Sequence, residues 1–516
     1  MVRHDGLLTR RHCLLAAAAA AAGEGVLAQP DRPPLRIVGQ WEIGGLAPSS
    51  SGYVFSRLQI AETLLDASPD GQPMPGLAAR WSVSADGLLW KFSLRSGVRF
   101  HDGTAMNAAA VVRCLQAART PPAMLSVAPL QSIEAPDESS VVMRLASPFA
   151  GLASLLSHSS TIVLAPSSFG ADGQVRQIVA TGPYRVARLV PPQRLEAIAF
   201  EGYDGPKPSI EKVNYLCAGR AETRALMAES GQADLAFGLD PASLVRLQKK
   251  RGLRMESVTL PRTALVKVNA GWSMLKDPRV RQAMSLALDR PGMATALLRD
   301  PGLAATQLFP PSLQAWHNTA LEPLRHDPAA AIRLLGEAGW RRTADGLRNA
   351  RGEPFQLKLR TFPDRPELPL IAAALQEQWR QVGMEVQVSI GNSGDVPLGH
   401  RDGSLQLALL ARNYGTVPDL TGTLVQDFGP AGGDWGAMSW KNEPFDQALD
   451  ELRRGQVAPA RVAPLRLTVG QLLHTDLPVI PVTWYRLHVA VSSRLTGVSL
   501  DPLERSYRLT SMRWSL

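Results

Sequence analysis

Only three cysteines, seven tyrosines and 6% aromatic residues occur in the 516-residue chain. Cys13, Cys114 and Cys217 form no CxxC pair and no Cys/His cluster, which excludes a structural zinc site and a disulfide framework. Whether Cys114 meets Cys217, or both are buried thiols, stays open. Long apolar runs are missing as well: after residue 28 nothing reaches the ~18 uninterrupted apolar residues of a membrane span. There is no G-x-S-x-G elbow, H-E-x-x-H pair, phosphate loop or G-x-G-x-x-G turn. The nine histidines are dispersed, with no i, i+4 pair to converge on a metal. Asp446 and Asp450 sit four apart, but with Glu451 they read as a solvated helix face rather than an acid–base pair.

The composition is that of an ordinary globular protein, with 45% hydrophobic and 20% charged residues. A chain of this length exceeds what one hydrophobic core holds, so two or three domains are expected. The net charge of +9 favours acidic ligands in general. Its arginines are scattered, as at Arg220, Arg224, Arg262, Arg279 and Arg281, and the clustered stripe of a nucleic-acid binder is missing.

The N-terminus has a distinct pattern. Arg10-Arg11 precedes the run Ala16 to Ala22, and Val26-Leu27-Ala28 gives a small-x-small cleavage site before Gln29. Residues 1–28 therefore read as a cleavable export signal, with a mature protein soluble outside the cytoplasm. The arginine pair ahead of a weak apolar stretch resembles the twin-arginine signal, and an ordinary secretory n-region is the alternative. Cys13 follows Arg-Arg-His rather than small apolar residues, which argues against a lipid anchor.

Beyond the signal, periodicity predicts interleaved strands and helices, an α/β chain. Leu35–Val38, Trp90–Arg95 and Val141–Leu145 read as strands. Asp277-Pro278 and Asp327-Pro328 each place a capping carboxylate before a first-turn proline, so helices start there, and Gly339 supplies a left-handed stop to the second. Leu370–Val382 has helical spacing and leads through Gly383 into the strand Met384–Val388. No linear domain boundary shows in composition, which suggests domains that the chain crosses more than once. His101, before Asp102-Gly103, reads as a turn residue and His158, among serines, as a surface residue. Tyr414, Trp435 and Trp440 lie in glycine-rich segments, where rings either line a cleft or fill a satellite core.

Trp90 to Gly103, WKFSLRSGVRFHDG, continuing through Thr104 to Val112, resembles the peptide- and nickel-binding family of periplasmic solute-binding proteins. Gly76-Leu77-Ala78 with Trp81, Thr181-Gly182-Pro183-Tyr184 and Asp277 to Ala283 follow in the family's order. The resemblance implies a two-lobed periplasmic binding protein fold with an extra domain in the first lobe and a ligand cleft between lobes. It implies a first-lobe core from 29–65, 180–262 and 483–516, an extra domain over 66–179 and a second lobe over 263–482. It also implies a monomer without catalysis or cofactor, delivering a small ligand, a peptide or a metal complex, to an inner-membrane ABC permease.

For the site, the ligand-binding candidates are Tyr53, Tyr414, Thr416 and Asp419, on segments the resemblance singles out, together with Trp435 and Trp440 as rings of the glycine-rich segments. Peptide binders of the family carry an aspartate for the peptide's amino terminus where ungapped matching places Thr416. An uncharged hydroxyl does not pair an ammonium as a carboxylate does. Tyr414 matches an aromatic of the nickel-binding branch, which tilts the expectation toward a metal chelate. That branch's arginine for the chelator's carboxylate falls on Ile162, and its histidine is missing between Val425 and Trp440. An exported hydrolase, or a sensor or chaperone sharing the fold, are the alternatives.

Overall fold

A computed structural model describes residues 33–69, 71–363, 365, 367–417, 419–430 and 432–515. The expected export signal, with Arg10, Arg11 and Cys13, lies outside them. Among the described residues no helix is long and apolar enough to cross a membrane.

The backbone of the fold is one ten-stranded sheet. In chain order its strands are β1 (Leu35–Gly39), β2 (Tyr184–Val190), β3 (Arg194–Ala199), β4 (Lys212–Cys217), β5 (Leu235–Phe237), β6 (Leu253–Val268), β7 (Gln356–Thr361), β8 (Glu385–Ile390), β9 (Leu407–Asn413) and β10 (Val479–Ser492). Their order across the sheet is β8-β7-β9-β6-β10-β5-β1-β4-β3-β2. The two longest strands, β6 and β10, pair antiparallel at its centre. Their halves belong to different cores: one apolar cluster takes Leu260, Leu487, Val489 and Val491, and the other Ala264 to Val268 with Val479 to Val482. Two lobes thus share one sheet, and β6 and β10 are the only strands of that sheet divided between both cores.

A four-stranded antiparallel sheet, built from Ala78–Val83, Leu89–Leu94, Ser140–Leu145 and Leu130–Asp137 in that spatial order, packs into the first lobe's core. In Leu89–Leu94 the alternation works as the sequence predicts, since Trp90 and Phe92 are buried while Lys91 is exposed. The capping pairs also act as expected. Asp277 Oδ1 accepts the Arg279 N–H at 2.9 Å, Asp327 Oδ1 accepts the Ala330 N–H at 2.8 Å, and Gly339 has φ +87°. Cys114 and Cys217 are both buried and unpaired, and the Cys114 thiol contacts the backbone of Leu164.

The lobes touch at the rim. Ser154 Oγ accepts the N–H of Asp419 at 3.2 Å, and the Ala150 N–H reaches Arg453 O at 3.0 Å. Gln456 donates to Asp86 O at 3.0 Å. These contacts hold the second lobe against the extra sheet and its neighbouring turns, and a partly open cavity lies between the lobes.

Candidate functional site

That cavity, of about 570 Å3, is lined mainly from three stretches of the first lobe, with Pro183 and Tyr203 beside them, and from one stretch of the second. The first stretch is the loop after β1 and the helix α1 (Pro48–Arg57), which begins at Pro48 without a side-chain cap. On this helix Tyr53 and Arg57 are four residues apart and therefore share a face, and both line the cavity. The Tyr53 hydroxyl donates to Glu42 O at 2.5 Å. The Arg57 guanidinium stacks over the Trp41 ring at 3.9 Å and donates from Nε to Glu504 O at 2.7 Å. Its Nη1 is buried without a hydrogen-bond partner among the described residues. That nitrogen carries two N–H groups without an acceptor, and a shift of the side chain would have to uncover them for an anionic oxygen to accept from them.

The second stretch, Ser157 to Ser159, brings His158, and the third is the C-terminal segment Asp501 to Arg508. Arg505 donates to Ser157 O at 2.9 Å and pairs with Asp66 at 2.8 Å, tying the two stretches together. Glu504 makes a buried ion pair with Arg262 of β6 at 2.5 Å. Burial pushes its carboxyl up, but Arg262, Arg57 and Arg365 outweigh that and hold it below the usual carboxylate range. Glu62 also lines the cavity; burial raises its pKa, and Arg95 offsets this only in part. The wall thus carries charges of both signs, with arginines 57, 505 and 508 beside the carboxyl groups of Glu62, Asp66, Asp501 and Glu504.

The second lobe supplies Asn413 and Thr416, at the end of β9. Both side chains are turned onto their own loop. Asn413 Oδ1 accepts the Gly415 N–H at 2.8 Å, and Thr416 Oγ1 donates to Asn413 O at 3.0 Å.

Of the six residues expected at the site, the structure puts Tyr53 and Thr416 on the cavity wall. Tyr414 is 1% exposed and stands edge-on to Phe309, with ring centroids 5.5 Å apart, inside the second lobe's core. Trp440 is 5% exposed, donates to Asp476 Oδ2 at 3.0 Å and packs on Phe445. Trp435 is part-buried against Phe362. Core filling is thus what Tyr414 and Trp440 do. Asp419 caps α2 (Leu420–Phe428) through Oδ1, which accepts from Thr421 N–H at 3.0 Å, and its own N–H makes the rim contact to Ser154.

One histidine expectation is corrected. His158 is not a surface residue but part-buried on the cavity wall, where burial, reinforced by Arg505, brings its pKa down to about 4. His101 does lie in the turn expected, closed by the Gly103 N–H on Phe100 O at 2.8 Å; its ring accepts the Ala180 N–H and bonds Gly182 O, and its pKa also falls to about 4 through burial. Sequence reading missed Arg57, His158, Arg505 and Glu504. One signal was present for Arg57, its i, i+4 spacing from Tyr53.

Comparisons with known proteins give the family and the fold. The family model for bacterial extracellular solute-binding proteins, family 5, matches residues 72–434. The glutathione-binding protein GsiB of Escherichia coli O1:K1 is 27% identical over 440 residues, which cover 83% of this chain and 83% of that protein. NikA of Brucella suis, solved with Fe(III)-EDTA, shares the fold with a TM-score of 0.84 at 23% identity, over 94% of this chain and 100% of that one. The oligopeptide-binding protein AppA of Bacillus subtilis, solved with a nonapeptide, does so with a TM-score of 0.79 at 19% identity, over 94% and 99%. The chain belongs to family 5 of the bacterial extracellular solute-binding proteins, and is a binding protein serving an ABC importer rather than an enzyme.

Proposed function

We propose that the protein captures a small carboxylate-bearing solute, either peptide-like or a metal chelate, in the cavity between its lobes and delivers it to an inner-membrane ABC permease. The observation that carries this reading is Arg57, buried on the cavity wall with Nη1 unused and backed by Trp41. GsiB is named for glutathione and NikA was solved with Fe(III)-EDTA. Those two ligands differ in metal content but share several carboxylates on a compact frame. The tilt toward nickel rested on Tyr414 and on chain length, and the burial of Tyr414 in the core removes the first of these. Residues 1–28 act as the export signal in this reading, with cleavage near Ala28 and Arg10-Arg11 directing the folded protein through the twin-arginine route. The mature protein then works as a periplasmic monomer.

Calorimetric titration with glutathione, a dipeptide and Fe(III)-EDTA tests it, each beside an esterified or amidated analogue without carboxylates. At least one carboxylate-bearing probe should bind without turnover, and its neutral analogue should bind at least about tenfold more weakly, the scale of one charge-assisted hydrogen bond. Equal affinity for the neutral analogue, or no binding by any probe, sinks the reading.

A further inference from the structure

Two histidines of the first lobe are fixed in one tautomer, and only one of them has used both ring nitrogens. At His101, Nδ1 accepts the Ala180 N–H at 3.2 Å, so the proton sits on Nε2, which donates to Gly182 O at 3.0 Å. The ring stands edge-on to Phe200 at 5.0 Å and is complete. At His158, Nδ1 accepts the Ser160 N–H at 3.1 Å. Ser160 Oγ lies 2.9 Å from the same nitrogen and itself accepts the Met124 N–H at 3.1 Å, which leaves its hydroxyl proton to point at Nδ1. A backbone N–H donates in every protonation state, so Nδ1 must offer its lone pair and the neutral ring carries its proton on Nε2. Among the described residues no protein group accepts from that Nε2, and His158 lines the cavity.

We propose that the Nε2–H of His158 is a neutral donor that reads an oxygen acceptor, a carboxylate or amide carbonyl, on the enclosed solute, and that this ring does not ligate a metal. The inference rests on the cavity being the solute site. Metal ligation through Nε2 would move the proton to Nδ1, directly against two donors of Ser160. Other groups around the ring keep the choice in place: Arg505, paired with Asp66, disfavours a charged imidazolium, as burial does. Among the described residues, no group of three or more His, Cys, Asp or Glu is arranged to hold a metal ion. A metal carried by the solute is then held by its own chelator, and the protein recognises the organic shell. Ser160 is a positioning residue for this contact, and discrimination falls on the acceptor oxygen.

Two substitutions separate the ring nitrogens. In His158→Gln the side-chain amide reaches the place of Nε2 and can donate there; in His158→Asn it reaches only the place of Nδ1. With whichever of glutathione and Fe(III)-EDTA binds, His158→Asn should lose about tenfold or more in affinity and His158→Gln should stay within about threefold, at unchanged thermal stability. Equal losses in both variants, or none in either, would overturn the proposal. Nitrogen-15 NMR of the ligand-free protein gives a readout that needs no ligand: His158 should show protonated Nε2 and bare Nδ1, and the opposite pattern refutes the assignment. If neither probe binds, the reading of the cavity fails, while the tautomer is still decided.

Discussion

The two walls of the cavity are chemically unlike. On the first-lobe side stand Arg57, Glu62, His158, Arg505 and Glu504, each with a charge or an oriented hydrogen-bonding group; on the second-lobe side stand Asn413 and Thr416, with Asn413 Oδ1 and the Thr416 hydroxyl already bonded to their own loop. Both lobes also bury charge, the first at Arg224 and Asp234. The second does so where Lys267 donates to Gly433 O and Gly436 O, and Arg412 pairs with Asp427 at 2.5 Å. Under the proposed function recognition falls mainly on the first-lobe wall, with the second lobe as a cover.

This contrast can be broken or sharpened by experiment. The largest effect is expected in stability against pH, where both lobes should gain stability as pH rises, but in different windows. His101 and His158 have folded pKa values of about 4 against 6.5 when unfolded, so between those limits the unfolded chain binds more protons. The first lobe therefore loses stability as pH falls from 6.5 to 4, by roughly 3 kcal/mol at most for each histidine. Lys267, brought to about 7 by burial against 10.5 when unfolded, makes the second lobe gain stability as pH rises from 7 to 10.5. Urea midpoints across this range should lose part of the acid limb in His101→Gln and part of the alkaline limb in Lys267→Met. Superimposable profiles for wild type and both variants would contradict the assignment.

Arg57→Ala comes next, with an expected loss of about a hundredfold in affinity for a carboxylate-bearing probe, as for truncation of a buried, hydrogen-bonded arginine anchor. Arg57→Lys should recover only part, because an ammonium lacks the guanidinium plane that lies on Trp41. Calorimetry reads both. An Arg57→Ala affinity within a factor of about three would move recognition off this wall. The smallest effect belongs to Thr416→Val, which should change affinity less than about threefold, since the hydroxyl already donates to Asn413 O. A larger loss would promote the second-lobe wall from cover to contact.

Local features of the fold were legible because they are decided by neighbours in sequence. The Asp-Pro caps at 277 and 327 and the alternation at Trp90, Lys91 and Phe92 need only a few residues to work. The site was less so. Its wall joins residues 57, 158, 413 and 505, and no periodicity connects segments so far apart. The sheet's period of two explains the misreading of Tyr414: Asn413 lines the cavity, so the next residue turns to the opposite face and meets Phe309. Sequence pattern flagged an aromatic in a glycine-rich loop correctly, but loop composition does not say which face a ring takes. For His158, the neighbouring serines suggested solvent, whereas Ser160 orients the ring.

The ladder between β6 and β10 breaks register between Leu260 and Thr263 and again between Ala264 and Leu265. Pro261, within the first break, has no N–H to give, and its carbonyl accepts the N–H of Tyr414 at 2.7 Å. The sheet is therefore stiff on both sides and weakest where one core hands over to the other. That break lies one hydrogen bond from the loop that carries Thr416, so any rotation of one lobe on the other would be felt first where the second lobe meets the cavity.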